Sequence, residues 1–267
     1  MPRVPCAGSE LHVERRGSGE PLLLIQGRGG ECAHWGEPFL CALERDFELV
    51  LYDHRGIGRS GPLKGDVTTA DLARDARALL DALEIERAHV FGFSMGGMVA
   101  QELALAAPQR VQSLMLASTS AGGAQSKPTG GEVVQALTAA VLSGDRERVM
   151  GTAFGLVVSA PYAADPGNWE TFAAVARQST PSIGVLMEQQ AAVVAHDAYG
   201  RLRGLHVPTL VIHGKAAQML SPINGDLIAS LIAGARLELF DDVGHLVYWE
   251  QPERVAELIR EHAAVQA

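Results

Sequence analysis

Ten consecutive residues constrain this chain more than any others: Val90-Phe91-Gly92-Phe93-Ser94-Met95-Gly96-Gly97-Met98-Val99. An apolar stretch, Ala88 to Phe93, reads as a short strand. It runs directly into an Ala-rich apolar stretch, Met95 to Ala107, that reads as a helix. The G-x-S-x-G pattern of Gly92, Ser94 and Gly96 lies at the junction. A serine on so sharp a strand-to-helix turn takes a strained backbone, and small neighbours are needed where strand and helix cross. Its hydroxyl then projects beyond the carboxyl end of the sheet. Backbone amides and the positive end of the helix dipole surround any oxyanion formed there. Ser94 is therefore the candidate nucleophile.

The remaining chain supplies alternating strands and helices. Leu11 to Arg15 alternates apolar and polar residues, as an edge strand does. Pro21 to Ile25 is a continuous apolar run, expected of a strand buried on both faces of a parallel sheet. It ends in the flexible loop Gln26-Gly27-Arg28-Gly29-Gly30. A short helix over Trp35–Leu43 and a strand over Phe47–Tyr52 follow, then the Gly-rich turn Asp53 to Ser60. Thr68 with Asp71 three residues on resembles a capping box, and leucines 72, 79, 80 and 83 give the next helix one apolar face. Further strands are expected at Val111–Ala117, Pro208–Gly214 and Arg236–Phe240, and helices at Ser221–Ala233 and Pro252–Ala263. The strands predict a doubly wound, mostly parallel sheet.

Composition changes after Ser118. A Gly, Ser, Thr and Pro-rich loop leads into a stretch from 132 to about 200 that is helical in pattern, with expected breaks at Gly151, Pro161, Pro166 and Gly184. We read 121–204 as a helical lid inserted into a core formed by 1–120 and 205–267. Its apolar residues Trp169, Phe172 and Met187 are candidates to line a substrate pocket, together with Gly27 and Leu246.

A formal charge of -9 argues against nucleic acid and anionic membrane as partners. No apolar run approaches the ~20 residues of a membrane span, and the first ten residues lack the apolar core of a signal peptide. Cys6, Cys32 and Cys41 show no metal-ligand spacing and fit reduced thiols in a cytoplasmic protein.

The chain resembles the α/β-hydrolase superfamily over nearly its whole length, and within it the small bacterial esterase and enol-lactonase branch. The resemblance rests on Gln26 to Gly30, Asp53 to Ser60, the turn at Ser94, Pro208 to Gly214, and Gly244-His245 followed by Glu250-Gln251-Pro252-Glu253. It implies an eight-stranded sheet, Ser94 as nucleophile, His245 as base, and the backbone amides of Arg28 and Met95 as the oxyanion hole. It implies a small ester or lactone as substrate, with a cofactor-free lyase, cyclase or perhydrolase reaction of the same fold, or a non-catalytic ligand-binding member, as the alternatives; it implies no cofactor or metal, and a monomer or homodimer. Gln26 stands where the family more often has histidine, a change of loop support. His54, His196 and His213 match positions that serve structure.

The resemblance breaks at the acid. The family's aspartate position falls on Ala217, in His213-Gly214-Lys215-Ala216-Ala217-Gln218. Alanine accepts no hydrogen bond from an imidazole. Loss of that acid in a triad lowers turnover about 10⁴-fold, roughly 5.4 kcal/mol. Three explanations compete: a replaced aspartate in an otherwise working site, an acid from elsewhere, or a protein that no longer hydrolyses. For the second, Ser118 and Thr119 occupy the alternative location and are not acidic. Asp242 is close to His245 in sequence, and Asp226 is expected on the next helix.

Overall fold

A computed structural model describes residues 3–6, 9–178 and 181–265. Eight strands form one sheet: β1 (Arg3–Cys6), β2 (Ser9–Gly17), β3 (Glu20–Ile25), β4 (Phe47–Tyr52), β5 (Ala88–Phe93), β6 (Val111–Ala117), β7 (Thr209–Gly214) and β8 (Arg236–Phe240). Their order is β1-β2-β4-β3-β5-β6-β7-β8. β1–β2 and β2–β4 pair antiparallel, and every later pairing is parallel. The expected edge strand at Leu11–Arg15 is therefore second in the sheet. The edge is β1, whose exposed–buried alternation spans only four residues, one of them Pro5, too short a run to identify from sequence.

Three helices, α1 (Glu37–Leu43), α2 (Thr69–Ala82) and α3 (Met95–Ala106), precede β6. Five more lie between β6 and β7: α4 (Gly131–Leu142), α5 (Arg146–Val157), α6 (Ala160–Ala163), α7 (Pro166–Ala176) and α8 (Ile183–Ala195). The chain closes with α9 (Ile223–Leu231), α10 (Val247–Glu250) and α11 (Pro252–Ala264). The period-two alternation of β3 divides the core. Leu23 and Ile25 enter a cluster with α2, α3 and α9, whereas Leu22 and Leu24 enter a second with α1 and α11. Helices on both faces bury the central strands, β5 entirely and β3 from Leu22 to Ile25, which explains why Pro21–Ile25 reads as a continuous apolar run.

Local signals fix several helix ends. The Thr68 and Asp71 side chains bond each other's backbone amides at the start of α2. Between β6 and β7, Asp145, Ser159, Asp165 and Ser182 cap four helices with side-chain acceptors. The break expected at Gly151 does not occur, since it lies inside α5, whereas Gly184 is the second residue of α8 and the break falls just before it. Gly151 packs near the Trp169 ring, the nearest atom to a Cβ built there at 4.0 Å. The helix expected from Trp35 is instead a 3₁₀ turn, Cys32–Trp35, broken from α1 by Gly36 at φ 75°.

Burial leaves His34, His54, His196, His213, His245 and His262 titrating below their ordinary value, His54 and His196 at about 4. Their folded values lie below the unfolded one, so the stability they confer is complete above about 6.5 and is lost progressively as pH falls toward 4. Each histidine contributes a slope of up to about 1.4 kcal/mol per pH unit. Urea unfolding midpoints should therefore drop between pH 6.5 and 4.5, before the lowered carboxylates Glu20, Glu37 and Asp71 titrate. A flat midpoint over that window would contradict the burial of these rings as neutral groups.

Candidate active site

Ser94 joins β5 to α3 with φ 54° and ψ −119°, a backbone that residues with side chains rarely adopt. Two absent side chains make it possible. A Cβ on Gly92 would lie 2.4 Å from the Gly96 carbonyl oxygen, and one on Gly96 would lie 2.0 Å from that of Ile25. The Ser94 amide donates to the Ala117 carbonyl at 2.9 Å, and Thr119 Oγ1 donates to the Ser94 carbonyl at 2.6 Å. The strained residue is thus clamped from β6, and its hydroxyl points away from the sheet.

His245 brings Nε2 to 3.2 Å from Ser94 Oγ. Its ring is buried, 4.9 Å from the Phe93 ring centroid to centroid. Glu250 and the helical insertion hold the loop. Gly244 N–H donates to Glu250 Oε1 at 2.8 Å, Ser159 N–H donates to the same oxygen at 3.0 Å, and the Ser159 hydroxyl donates to Oε2. Leu246 N–H donates to the Val157 carbonyl at the end of α5, 2.8 Å. Burial drives the His245 pKa down to about 3, with nearby His213 adding to the shift. The ring is a neutral imidazole across the physiological range.

Nothing among the described residues bonds His245 Nδ1. Ala217 sits in the turn after β7, where Ala216 N–H donates to the Val243 carbonyl at 2.9 Å and so fixes the turn against the histidine loop. The alternative acids do not reach the ring. Asp242 is exposed, and Asp226, also exposed, acts on His213. The Ser118 hydroxyl is buried without a partner. This bears on the tautomer. Accepting the Ser94 hydroxyl proton requires the proton to reside on Nδ1, which then has no protein acceptor. The other tautomer donates from Nε2 to the serine and cannot take its proton.

The loop after β3 spends its amides unevenly. Gly27 N–H donates to its neighbour's Gln26 Oε1 at 2.8 Å, Gly29 N–H to Gln189 Oε1 on α8 at 2.8 Å, and Gly30 N–H to the Gly27 carbonyl at 3.1 Å. Among the described residues Arg28 N–H has no such partner, and neither has Met95 N–H in the first turn of α3. These are the two amides the sequence singled out. Gln26 Nε2 reaches the Tyr248 hydroxyl at 3.3 Å, so the glutamine at this position does brace the loop.

A cavity of about 260 Å³ opens on the pair. Gly27, Phe172 and Leu246 line it as expected, with Leu137, Ala153, Val157, Met219 and Trp249. Trp169 and Met187 do not. The Trp169 ring packs behind, against Phe154 at 5.5 Å and Phe172 at 6.3 Å. On α8, Leu186 and Gln189 meet the Gly29 loop, so Met187, one position round the helix, turns outward and is 63% exposed. Sequence reading missed Leu137, Ala153 and Gln189, which share a helical pattern with dozens of ordinary residues. Outside this cavity, His12, Glu14 and Cys32 hold three potential metal-ligand atoms within 4.8 Å, but Glu14 is already engaged by His12 and Arg59.

Comparison with known proteins agrees with this architecture. The alpha/beta hydrolase fold family matches residues 20–252. A hydrolase from Pseudomonas aeruginosa superposes with TM-score 0.82 at 32% identity, covering 96% of this chain and 94% of its own. The enol-lactonase from Burkholderia xenovorans gives 0.84 at 26% identity, covering 98% and 100%. A relative from Azorhizobium caulinodans named "Putative carbamate hydrolase RutD" is 30% identical, with 97% of both chains covered. The chain belongs to the alpha/beta hydrolase fold family.

Proposed function

We propose that this chain is a serine hydrolase that cleaves a small carboxylic ester or lactone through an acyl-enzyme on Ser94. One observation carries the reading: the 3.2 Å approach of a buried neutral His245 to Ser94 Oγ, beside two amides that have no hydrogen-bond partner among the described residues. Imidazole takes the hydroxyl proton as Ser94 attacks the carbonyl. The amides of Arg28 and Met95 hold the oxyanion, and the protonated ring returns the proton to the leaving alkoxide. Water, activated by the same ring, then releases the acyl group. The relatives named as hydrolases and an enol-lactonase support the reaction class. We assign residues 121–204 as the lid over this site, supported by Leu137, Ala153, Val157 and Phe172 in the cavity wall. Substitutions at Phe172 should therefore reorder substrate preference.

The imidazolium formed in the transition state has no carboxylate beside it, so turnover is slow on this account. Ser94→Ala should abolish both labelling by a fluorophosphonate and hydrolysis of an activated ester, with stability nearly unchanged. Full activity in that variant removes the nucleophile assignment. A parent chain that is never labelled, and turns over no ester, favours a ligand-binding protein.

Ala217→Asp should rebuild the missing acceptor. Turnover is expected to rise roughly 10³- to 10⁴-fold with little change in the Michaelis constant. The pH profile gives an independent sign. A base works deprotonated, so activity falls as pH drops through its pKa. The parent, with His245 at about 3, should keep kcat/KM level from pH 8 to 5. The aspartate favours imidazolium, and should move the acid limb up toward the ordinary histidine value. Identical profiles and rates in the two proteins would show that His245 does not depend on an acid at 217.

A further inference from the structure

The turn that carries Arg28 is closed by Gly30 N–H, which donates to the Gly27 carbonyl at 3.1 Å. Gly29 has φ 72°, and Arg28 is not among the residues of positive φ. That combination is a type II turn, with Arg28 second and Gly29 third. Its central peptide joins the Arg28 carbonyl to the Gly29 amide. Rotating that one peptide by about 180° gives the type I turn, in which carbonyl and amide have exchanged sides.

Glycine at the third position permits either form, and the closing bond is common to both. The choice is made from outside, by α8. Gln189 Oε1 accepts Gly29 N–H at 2.8 Å. In the rotated turn that oxygen would face the Arg28 carbonyl, acceptor against acceptor. Leu186, three residues earlier on the same face of α8, presses on the same point: a Cβ on Gly29 would lie 2.7 Å from its Cδ2. Gln189 is 1% exposed, and its Nε2 has no partner among the described residues. A buried amide with unpaired donors is unfavourable for folding. Methionine has nearly the same shape and no such donors. Packing of α8 alone therefore does not call for glutamine at 189, whereas the oxygen presented to Gly29 does.

The consequence falls on the Arg28 amide. Gly27, Gly29 and Gly30 each spend their N–H on a fixed acceptor, and among the described residues Arg28 N–H has none. On the proposed reading this amide holds the oxyanion. It belongs to the second residue of the turn, so it keeps one direction only while the turn keeps one form.

We propose that Gln189 is a positioning residue for the oxyanion hole: from α8 it holds the Arg28–Gly29 peptide in the type II form, so that the hole is complete only with α8 seated on the loop. This inference rests on the hydrolase reading. Gln189 is not among the residues that line the Ser94 cavity, and it acts through the turn. Seating of the insertion and readiness of the hole are thereby one event.

The test compares the intact parent, Gln189→Met and Gln189→Glu. Turnover of p-nitrophenyl acetate gives kcat and KM, and fluorine NMR gives the affinity for trifluoroacetone. In that adduct Ser94 Oγ adds to the carbonyl carbon, its proton passes to His245, and the carbonyl oxygen becomes an oxyanion in the hole. Losing an oxyanion donor outright lowers kcat about 10²–10³-fold, and a donor that is displaced costs less. Gln189→Met should therefore lower kcat roughly 10- to 100-fold with KM nearly unchanged. Trifluoroacetone should weaken by the same factor, while the thermal midpoint stays near that of the parent. Gln189→Glu keeps an acceptor oxygen in place and should recover most of both losses. Unchanged kcat and trifluoroacetone affinity in Gln189→Met overturn the proposal. So does a loss that follows the thermal midpoint and is not recovered by Gln189→Glu, which makes 189 a folding position only. A parent that turns over no ester, binds no trifluoroacetone and is not labelled by a fluorophosphonate overturns the hydrolase reading itself, and the oxyanion role with it.

Discussion

The structure turns on a steric constraint at the start of α3. The helix begins so close to β3 that a methyl group on Gly96 would lie 2.0 Å from the Ile25 carbonyl oxygen. That approach accompanies a Ser94 backbone at φ 54°, and the amide of Met95 has no hydrogen-bond acceptor among the described residues. Strain of this kind, on the order of 1–3 kcal/mol, persists because the surroundings over-determine it. The Ala117 carbonyl of β6 and the Thr119 hydroxyl just beyond it clamp Ser94, and a core on both faces of the sheet fixes β5 itself. The hydroxyl is held at the carboxyl edge of the sheet, beyond the fully buried strand β5, the place where open α/β sheets offer a crevice.

Around that point the core and the β6–β7 insertion share backbone bonds. Glu250 takes amides from both Gly244 and Ser159, and Val157 takes the Leu246 amide. Gln189 takes the Gly29 amide of the loop after β3. The histidine loop and the Arg28 loop are thus each pinned by the helical insertion, and movement of α5 or α8 would be felt at the 3.2 Å contact between His245 and Ser94. Burial of Glu250 raises its pKa, and its three donors work against that rise. The cost of burying this carboxylate is offset by the amides it satisfies.

Much of the fold was legible because the strongest signals are local. The continuous apolar runs at β3 and β5, the Thr68–Asp71 cap and the G-x-S-x-G turn each dictate backbone geometry within a few residues. β1 was not legible, because its alternation spans only four residues, one of them a proline. The helix break at Gly151 was misread, because glycine weakens a helix without forbidding it and the neighbouring packing decides. At the site, the Ser94–His245 approach and the unspent amides of Arg28 and Met95 followed from resemblance and turn chemistry. Which side chains line the cavity did not. Met187 and Leu186 are adjacent in sequence, and only the rotation of α8 determines that one meets the Gly29 loop and the other meets solvent. The consequence of Ala217 was also only half visible. The sequence removes the acid, but burial is what leaves His245 neutral and Nδ1 without a protein partner.

The central claim is that His245 acts on Ser94 as a buried neutral imidazole with no carboxylate beside it. The most direct measurement is a pH titration of ¹⁵N-histidine-labelled protein by NMR, with the His245 ring assigned by comparison with His245→Asn. The account predicts a ring that stays neutral as pH falls from 8 to 5, with a pKa far below the ordinary histidine value. A His245 ring that is already protonated near pH 7, with its Nδ1 proton in a strong low-field hydrogen bond, would contradict it.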